Sequence, residues 1–360
     1  MKRITDTSTL VIGPNTSVRV LLERLSSGNE PFQIVLDNDG RVIGTITDGD
    51  VRRAILNGMA LEDSVVSCLN TSPTIGKIGD ETQNSRLLRR LKGLRPFLPL
   101  IDENQKLREV LVAEPKTSQS SVALIMAGGF GKRLGERTRN IPKPLLPVGG
   151  QPILEHIVSA IEAAGVGTIH VSVHYLADQI KTFFDARGSV AEILFIEEEA
   201  PLGTAGALSY LPSSSASGPI LVVNGDLITD VNYSALHEFY VRHNLDAAVC
   251  VARYDIQLPY GVVRYDESGV FAGIDEKPQI SNFVAAGIYY LGSEFLALVK
   301  PGERLDMPDL LMMGRNIGLK IGLFPIHEMW TDVGRPEDLA AADQAAREQT
   351  GAPVFGSESR

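Results

Sequence analysis

The sequence has few of the residues that mark disulfide-rich, metal-rich or nucleic-acid-binding proteins. Its two cysteines, Cys68 and Cys250, lie far apart in 360 residues, which excludes a disulfide framework and favours a reducing compartment. The six histidines show no spacing typical of metal ligands. Acidic residues outnumber basic ones, 44 against 34, and the resulting net charge of −10 argues against a nucleic-acid partner.

Long apolar runs are also missing. No run approaches the roughly 20 residues of a membrane-spanning helix, and the opening segment MKRITDTSTL lacks the apolar core of a signal peptide. We therefore expect a cytoplasmic protein with no membrane partner. A chain of 360 residues is long for one hydrophobic core, so its length predicts two domains.

A local cluster of positive charge stands out against this acidic background. An apolar, strand-like run ends in a glycine-rich turn, AGGFG, whose glycines leave backbone N–H groups uncovered for an anion. Basic side chains follow at once. We interpret the segment as a site for an anionic ligand, built from Ala127, Gly128, Gly129 and Gly131 and from the cations Lys132, Arg133, Arg137, Arg139 and Lys143.

A polar segment rich in serine divides the chain before this turn. We place a linker at residues 116–121, because such composition is typical of a connection between domains. The prediction is then an N-terminal domain over residues 1–115, a second domain over 122–348 and a tail over 349–360.

The N-terminal part contains a weak internal repeat. Two strands around a tight turn are followed by a helix that begins near Asp48, and a second pair of strands spans residues 97–111. This region resembles a pair of cystathionine-β-synthase-type (CBS) domains. The resemblance implies a regulatory adenine-nucleotide site, since Gly44, Thr47 and Asp50 match the family's signature for phosphate and ribose. The alternative is that Thr47 and Asp50 only cap a helix.

From Val122 onward, strand and helix patterns alternate. Such alternation predicts an α/β fold with a mostly parallel, Rossmann-like sheet covered by helices on both faces. Shorter β-like pieces after residue 253, including FVAAGIYYL, indicate a small antiparallel addition before the sheet resumes at KIGLFPI. The overall expectation is this α/β domain preceded by a small α+β CBS pair.

Two carboxylates are expected at the edge of this sheet where ligands bind. Asp226 ends the buried-looking run PILVVNGD, and Asp332 follows the last apolar strand. Mg²⁺ commonly uses one or two carboxylates and completes its coordination with water and substrate phosphates. We therefore predict a magnesium site at Asp226 and Asp332, with a turn or helix cap as the alternative role of each.

Six motifs in order make a further resemblance plain. They are Gly128–Leu134, Pro142–Pro144, Pro201–Gly206, Asn224–Asp226, Tyr260–Gly261 with Glu276–Pro278, and Trp330–Asp332. Residues 122 to about 345 resemble the sugar-1-phosphate nucleotidyltransferase family, which joins a nucleoside triphosphate to a sugar 1-phosphate and releases pyrophosphate.

The resemblance implies roles for individual residues. Arg133 and the loop amides would hold the β- and γ-phosphates, and Lys143 would neutralise the α-phosphate. Asp226 and Asp332 would hold Mg²⁺. The implied nucleotide-binding residues are Ala127, Gly128, Gly129, Gly131, Lys132, Glu198, Gly203 and Thr204; those implied for the sugar phosphate are Gly261, Glu276, Lys277 and Gly287.

Two positions bear on specificity. Ala285 stands where the family usually has an asparagine, so one expected hydrogen bond to the sugar is missing. Glu198 stands where uridylyl- and thymidylyltransferases usually have glutamine. Because a carboxylate only accepts hydrogen bonds, it suits guanine N1–H and its exocyclic amine better than uracil. The alternative is that Glu198 faces solvent in the acidic run 197–199.

The sequence thus predicts a guanylyltransferase that uses GTP and a sugar 1-phosphate, either glucosamine 1-phosphate or mannose 1-phosphate, for cell-surface glycan synthesis of the legionaminic acid type. A UDP- or dTDP-sugar pyrophosphorylase and a non-catalytic nucleotide sensor are the alternatives. The CBS pair is expected to bind an adenine-nucleotide effector or to mediate homo-oligomerisation.

Overall fold

The computed structural model describes residues 1–27, 30–91, 95–113, 122–216 and 218–350. The predicted linker at 116–121 and residues 351–360 of the predicted tail lie outside these residues, whereas residues 349 and 350 end the last helix. The chain forms two compact units. The N-terminal unit contains Met1–Ser121, Asn232–Ala248 and Gly318–Gly322; the larger unit contains Val122–Val231, Val249–Ile317 and the chain from Leu323.

In its first segment, the N-terminal unit contains two small sheets and three α-helices among the described residues, and a fourth helix, Tyr233–Arg242, comes from its second segment. One sheet has the order β1-β7-β6-β5 and the other β2-β3-β4, and in each the longest pair is antiparallel. Their bounds are β1 Lys2–Ile4, β2 Val11–Ile12, α1 Val18–Ser27, β3 Phe32–Leu36, β4 Val42–Thr47, α2 Asp48–Leu56, β5 Gly76–Lys77, α3 Glu81–Arg90, β6 Phe97–Ile101 and β7 Leu107–Val112.

The predicted repeat of strand, turn and strand is therefore present. Each pair encloses a tight turn in which an aspartate accepts backbone hydrogen bonds: Asp37 from Asp39 and Arg41, and Asp102 from Asn104 and Lys106. This local bonding explains why two short stretches of sequence with different residues form the same hairpin.

Alternating strands and helices build the larger unit, as expected. The strands are β8 Val122–Met126, β9 Pro147–Val148, β10 Gln151–Pro152, β11 Thr168–Val173, β12 Glu192–Glu197, β13 Ile220–Asn224, β14 Leu227–Thr229, β15 Ala247–Gln257, β16 Val262–Tyr265, β17 Phe271–Asp275, β18 Gln279–Leu291, β19 Ile321–Ile326 and β20 Trp330–Asp332. The helices that follow Val122 along the chain are α4 Ile153–Ala163, α5 Ala177–Arg187, α6 Gly203–Gly206, α7 Tyr233–Arg242, α8 Ser293–Leu296, α9 Met307–Asn316 and α10 Pro336–Thr350. Of these, α7 belongs to the N-terminal unit.

In the described chain, seven strands form one sheet in the order β12-β11-β8-β13-β18-β15-β19. The pairs β11/β12, β8/β11 and β8/β13 are parallel, so the carboxyl ends of these four strands meet at one edge. This sheet confirms the predicted α/β class, with its mostly parallel strands.

One local expectation was wrong. FVAAGIYYL belongs to β18, which pairs antiparallel with β13 in the middle of the large sheet and is not confined to a peripheral addition. The antiparallel addition is the exposed hairpin β16/β17. The motif Pro201–Gly206 ends in one short α-turn, α6, which a 3-10 turn at Ala207–Tyr210 follows.

Candidate active site

The glycine-rich turn follows β8 at the carboxyl edge of the sheet. Gly131 has a φ of +63°, and a Cβ there would lie 2.8 Å from Thr138 Cγ2 and 3.2 Å from Lys143 Cβ. A Cβ at Gly128 would lie 3.3 Å from His174 Cβ. Glycine is therefore required at Gly131 by both conformation and space, and the turn brings its backbone close to Lys143.

The chain after β13 packs tightly against the same turn. The Gly225 N–H donates to Met126 O at 2.9 Å, and a Cβ at Gly225 would lie 2.7 Å from that oxygen. This contact fixes Asp226, the next residue, beside the glycine-rich turn.

Pairing between β14 and β20 brings the two predicted metal ligands together. Leu227 lies opposite Asp332 in this antiparallel pair, and the Val333 N–H donates to Asp226 O at 3.0 Å. Asp226 and Asp332 are therefore neighbours across two short strands, although about a hundred residues separate them in sequence.

Lys143 lies between these two carboxylates. Its Nζ forms an ion pair with Asp226 Oδ2 and lies 3.7 Å from Asp332 Oδ1, and its side chain is only 9% exposed. Pro142 and Pro144 flank it and restrict the backbone of the 3-10 turn Lys143–Leu145. A nearly buried ammonium group is thus held at the point where both carboxylates meet.

Arg133 completes this group of charges. An ideal Cβ at Gly334 would lie 3.3 Å from Arg133 Nη1, so the guanidinium packs against the backbone two residues after Asp332. Burial and then the Asp226 carboxylate raise the pKa of Asp332, while the charges of Lys143 and Arg133 oppose the shift. The structure therefore brings Arg133, Lys143, Asp226 and Asp332 to one place.

The buried oxygens of Asp226 are not fully satisfied. Its Oδ2 accepts from Lys143, but its Oδ1 has no hydrogen-bond partner among the described residues. Those residues contain no group of three or more His, Cys, Asp or Glu side chains that could hold a metal. Two carboxylates with one open, buried oxygen fit Mg²⁺, which uses few protein ligands when phosphates complete its coordination.

Glu198 follows β12 at the same edge, and it is 8% exposed. Its carboxylate accepts from the Ser172 hydroxyl and, at 2.8 Å, from the Leu202 N–H. Its Oε1 lies 3.5 Å from an ideal Cβ at Gly128. The alternative in which Glu198 faces solvent is therefore wrong, because the side chain is buried beside the glycine-rich turn.

Gly203 and Thr204 contact the start of α9. A Cβ at Gly203, whose φ is +80°, would lie 2.5 Å from Asp306 Oδ1. Thr204 N–H donates to that oxygen at 3.1 Å, and Thr204 Oγ1 accepts from the Met307 N–H at 2.7 Å. Both residues hold the loop before α9 against α6, a structural role that the motif alone did not suggest.

The predicted sugar residues fall into two places. Gly261, Glu276 and Lys277 are exposed near the β16/β17 hairpin, where a Cβ at Gly261 would lie 3.1 Å from Glu276 Oε1. Gly287, with a φ of +73°, lies on β18, and a Cβ there would lie 2.6 Å from Asn224 Nδ2. Gly287 therefore neighbours the residues that precede Asp226.

Sequence reasoning missed an aromatic group beside the glycine-rich turn. Phe130 packs edge-on against His174 with ring centroids 5.4 Å apart, and Lys132 Nζ lies 5.3 Å from the Phe130 centroid. His174 Nδ1 lies 2.7 Å from Glu198 O. The sequence could have indicated His174, because this residue comes directly after β11 and therefore lies at the carboxyl edge of the sheet.

Comparison with known proteins is consistent with this architecture. The family model described as nucleotidyl transferase matches residues 122–349, and the CBS domain model matches residues 1–57. The chain therefore belongs to the nucleotidyl transferase family and carries an N-terminal CBS domain. Among the described residues, no helix is both long and apolar enough to cross a membrane.

Curated relatives match through part of their length. The chain is 32% identical over 239 residues to the mannose-1-phosphate guanylyltransferase catalytic subunit beta of Drosophila melanogaster, an alignment covering 64% of this chain and 63% of the relative. A probable mannose-1-phosphate guanylyltransferase 1 of Oryza sativa is 31% identical and covers 60% and 62%. The chain thus spans about three-fifths of the length of these relatives.

Solved structures share the fold. HddC from Yersinia pseudotuberculosis, complexed with GMP-PN, is 25% identical with a TM-score of 0.50, covering 62% of this chain and 98% of HddC. A putative glucose-1-phosphate thymidylyltransferase from Bacillus anthracis is 24% identical with a TM-score of 0.52, covering 66% and 98%.

Proposed function

We propose that the protein transfers GMP from GTP to a sugar 1-phosphate and releases pyrophosphate, with mannose 1-phosphate as the favoured sugar. The observation that carries this proposal is the convergence of Arg133, Lys143, Asp226 and Asp332 beside a glycine-rich turn at the carboxyl edge of the sheet. Such a site offers cations and amides to phosphates and carboxylates to a divalent ion.

The reaction needs little acid–base chemistry from the protein. A sugar phosphate is already an anion at neutral pH, so its oxygen attacks the α-phosphorus without a general base. A new bond forms from that oxygen to the α-phosphorus as the bond to the bridging oxygen of pyrophosphate breaks. The main obstacle is the repulsion between two anions, so positioning and electrostatic stabilisation dominate catalysis.

Each basic group has a task in this mechanism. The amides of the turn at Gly128–Gly131 and the guanidinium of Arg133 hold the β- and γ-phosphates, where charge accumulates as pyrophosphate leaves. The buried ammonium group of Lys143 is oriented by Asp226 and neutralises the α-phosphate. Because Lys143 is fixed before the substrates arrive, its charge costs little reorganisation during the reaction.

Asp226 and Asp332 would hold Mg²⁺. A divalent ion held there would supply positive charge that offsets the repulsion between the two anionic substrates. The open Oδ1 of Asp226 and the raised pKa of Asp332 support this assignment, because both indicate carboxylates that lack sufficient positive charge in the free protein.

We assign the guanine preference to Glu198 and its surroundings. The carboxylate is buried near Gly128, and each oxygen retains a lone pair after accepting from Ser172 and Leu202. The names of the guanylyltransferase relatives and the GMP-PN complex of HddC support the same base. Glu198→Gln is expected to lower the preference for GTP over UTP.

For the sugar, Glu276 would accept hydrogen bonds from hydroxyl groups and Lys277 would hold the phosphate, with Gly261 and Gly287 leaving room for the ring. Ala285 removes one hydrogen-bonding side chain from this set. Mannose 1-phosphate is favoured on the names of the relatives, and glucosamine 1-phosphate remains the second candidate. A cytoplasmic role in glycan synthesis and self-association through the CBS pair are parts of the same proposal.

A substrate panel tests the proposal. Pyrophosphate release is measured with purified protein, Mg²⁺, each of GTP, ATP, UTP and dTTP, and mannose, glucosamine, glucose and N-acetylglucosamine 1-phosphates. We expect GTP with mannose 1-phosphate to give the highest kcat/KM. A preference for UTP or dTTP would favour a UDP- or dTDP-sugar pyrophosphorylase. Nucleotide binding without turnover for every combination of triphosphate and sugar phosphate would favour a non-catalytic nucleotide sensor.

A further inference from the structure

The hairpin β16/β17 and the strand ends beside it expose an unusual amount of apolar surface. Of the twenty-five large apolar side chains that are exposed in the described chain, eleven lie between residues 254 and 283. The most exposed among them are Tyr260, Tyr265 and Phe271, at 65–77%. Single exposed apolar residues are common on soluble proteins, but a contiguous patch of this kind marks an interaction surface.

One face of the hairpin is apolar throughout. In the register of β16 and β17, Val263 lies opposite Ile274, and Tyr265 lies opposite Phe271. Opposite residues of an antiparallel pair share a face, as do alternate residues along a strand. These four side chains therefore form one surface, which we call the apolar hairpin face, and each of them is at least half exposed.

The opposite face of the hairpin is polar. Arg264 Nε lies 3.2 Å from Asp275 Oδ2 there. A two-stranded hairpin is marginally stable alone in water, and packing of an apolar face usually stabilises it. Among the described residues, β16 and β17 pair only with each other. The apolar hairpin face therefore lacks the cover that such a hairpin needs.

The charges near the hairpin exclude some partners. Residues 253–283 contain three basic and five acidic side chains, a net charge of −2 within a chain of net charge −10. An anionic partner, such as a membrane of acidic lipids, would be repelled by this surface. A second copy of the chain offers a matching surface, because in a two-fold arrangement the same apolar face meets itself.

The exposed apolar area is large enough for a contact between two copies. A large aromatic side chain offers about 150–250 Å² of surface, so the eleven exposed side chains leave on the order of 1,000 Å² uncovered. A stable interface buries about 800 Å² on each partner. The hairpin region alone therefore supplies the area that one half of such an interface needs.

The apolar hairpin face adjoins the predicted sugar-phosphate residues. An ideal Cβ at Gly261 would lie 2.8 Å from Ile274 Cγ2 and 3.1 Å from Glu276 Oε1. Gly261, Glu276 and Lys277 are all exposed, so the predicted site is open to solvent on this side. Whatever covers the apolar hairpin face will also lie close to these three residues.

We propose that two copies of this chain pack through their apolar hairpin faces, and that each copy closes the open side of the other's sugar-phosphate site. The packing removes apolar surface from water, which stabilises the pair. The closure rests on the proposed function, whereas the contact between copies does not. This contact is separate from any association through the N-terminal unit, because the hairpin belongs to the larger unit.

Sedimentation velocity of the full chain tests the contact. We expect the wild type at micromolar concentration to contain an even number of copies, and the double variant Tyr265→Thr, Phe271→Thr to have half that mass. Threonine suits a strand, and both replaced side chains are exposed, so the variant should fold. Val190→Thr, which changes an exposed valine outside the hairpin, is the matched control and should keep the wild-type mass.

Steady-state kinetics test the closure. We expect the double variant to raise the KM for mannose 1-phosphate at least tenfold, because its sugar-phosphate site stays open, and to change the KM for GTP less than twofold. Dilution of the wild type until it dissociates should raise the same KM without any substitution. Val190→Thr should show wild-type values of both constants.

The two parts of the proposal fail separately. A monomeric wild type at micromolar concentration, or the wild-type mass in a folded double variant, would overturn the contact whether or not the chain is a guanylyltransferase. A monomer that co-sediments with phosphatidylglycerol vesicles would overturn it in favour of a membrane. Half the wild-type mass with an unchanged KM for mannose 1-phosphate would support the contact and overturn the closure.

Discussion

Asp226 in the larger unit and Asp50 in the N-terminal unit both follow a buried strand and lie beside a basic side chain, yet their surroundings differ. Asp226 has one buried oxygen without a partner, and the nearby Asp332 has a raised pKa. Asp50 is fully engaged by Thr47 and Arg53, and the open group beside it is the Nε of Arg242.

This contrast gives a physical criterion for the ligand at each place. A buried carboxylate oxygen without a donor is stabilised by a cation, whereas a buried guanidinium N–H without an acceptor is stabilised by an anion. In the larger unit, the unpartnered Oδ1 of Asp226 therefore favours a divalent ion together with its phosphate ligands. In the N-terminal unit, the unpartnered Nε of Arg242 favours an anion.

The substitution Asp226→Ala is expected to have the largest effect. We expect turnover to fall by about 10²–10³ or more, because a preorganised charge at the reacting phosphates is lost. Pyrophosphate release with GTP and mannose 1-phosphate measures the effect. Asp185→Ala, an exposed residue of α5, is the control. More than a tenth of wild-type turnover in Asp226→Ala would remove the metal assignment.

Lys143→Ala tests the cationic side of the same site. We expect a fall in turnover of about 10², since the ammonium group that faces the α-phosphate is removed and Asp226 loses its partner. Lys300→Ala, which is well exposed, serves as the control in the same assay. Unchanged turnover in Lys143→Ala would mean that the phosphates bind elsewhere.

Thr47→Val removes a hydroxyl group that hydrogen-bonds to the satisfied carboxylate of Asp50. Loss of the hydroxyl between Asp50 and Arg242 should destabilise α2 by about 1 kcal/mol, as removal of an N-terminal cap does. Native-state hydrogen exchange of the α2 amides should then be about fivefold faster. Thr47→Ser keeps the hydroxyl and should exchange at the wild-type rate; equal rates in Thr47→Val would show that the cap contributes little.

Asp332→Asn should show a small effect whose sign depends on pH. Because the pKa of Asp332 is raised, the folded state binds a proton more readily than the unfolded chain. The charged carboxylate therefore destabilises the free protein at neutral pH, and its penalty disappears as pH falls through the raised pKa toward 3.8. The melting temperature of Asp332→Asn should exceed that of the wild type at pH 7, and the difference should be smaller at pH 4. The opposite trend would contradict a raised pKa of Asp332.

Much of the fold was predictable because its signals are local. Apolar runs marked the strands, and the rule that ligands bind at the carboxyl ends of parallel strands placed Asp226 and the glycine-rich turn at one edge. The position of β18 was not predictable, since an apolar strand can pair with any neighbour and nothing local marks it as central. The contact of Gly203 and Thr204 with α9 is likewise long-range.

Two features of the sites also depend on long-range pairing. Asp226 and Asp332 meet only because β14 pairs with β20. Arg242 is the last residue of α7, and in the sequence this helix looks like one more helix of the α/β alternation. In the structure, α7 lies within Asn232–Ala248, which belongs to the N-terminal unit. Deleting residues 1–115 would therefore cut through that unit, so point variants are a better test of regulation than truncation.

The metal dependence of turnover is the most direct test of a divalent-ion site at Asp226 and Asp332. Pyrophosphate release by the full chain is measured with GTP and mannose 1-phosphate before and after removal of divalent ions with EDTA, and again after Mg²⁺ is restored. We expect pyrophosphate release that EDTA abolishes and Mg²⁺ restores in the wild type, and no restoration in Asp226→Ala. Release that persists in excess EDTA, or that Mg²⁺ restores fully in Asp226→Ala, would contradict it.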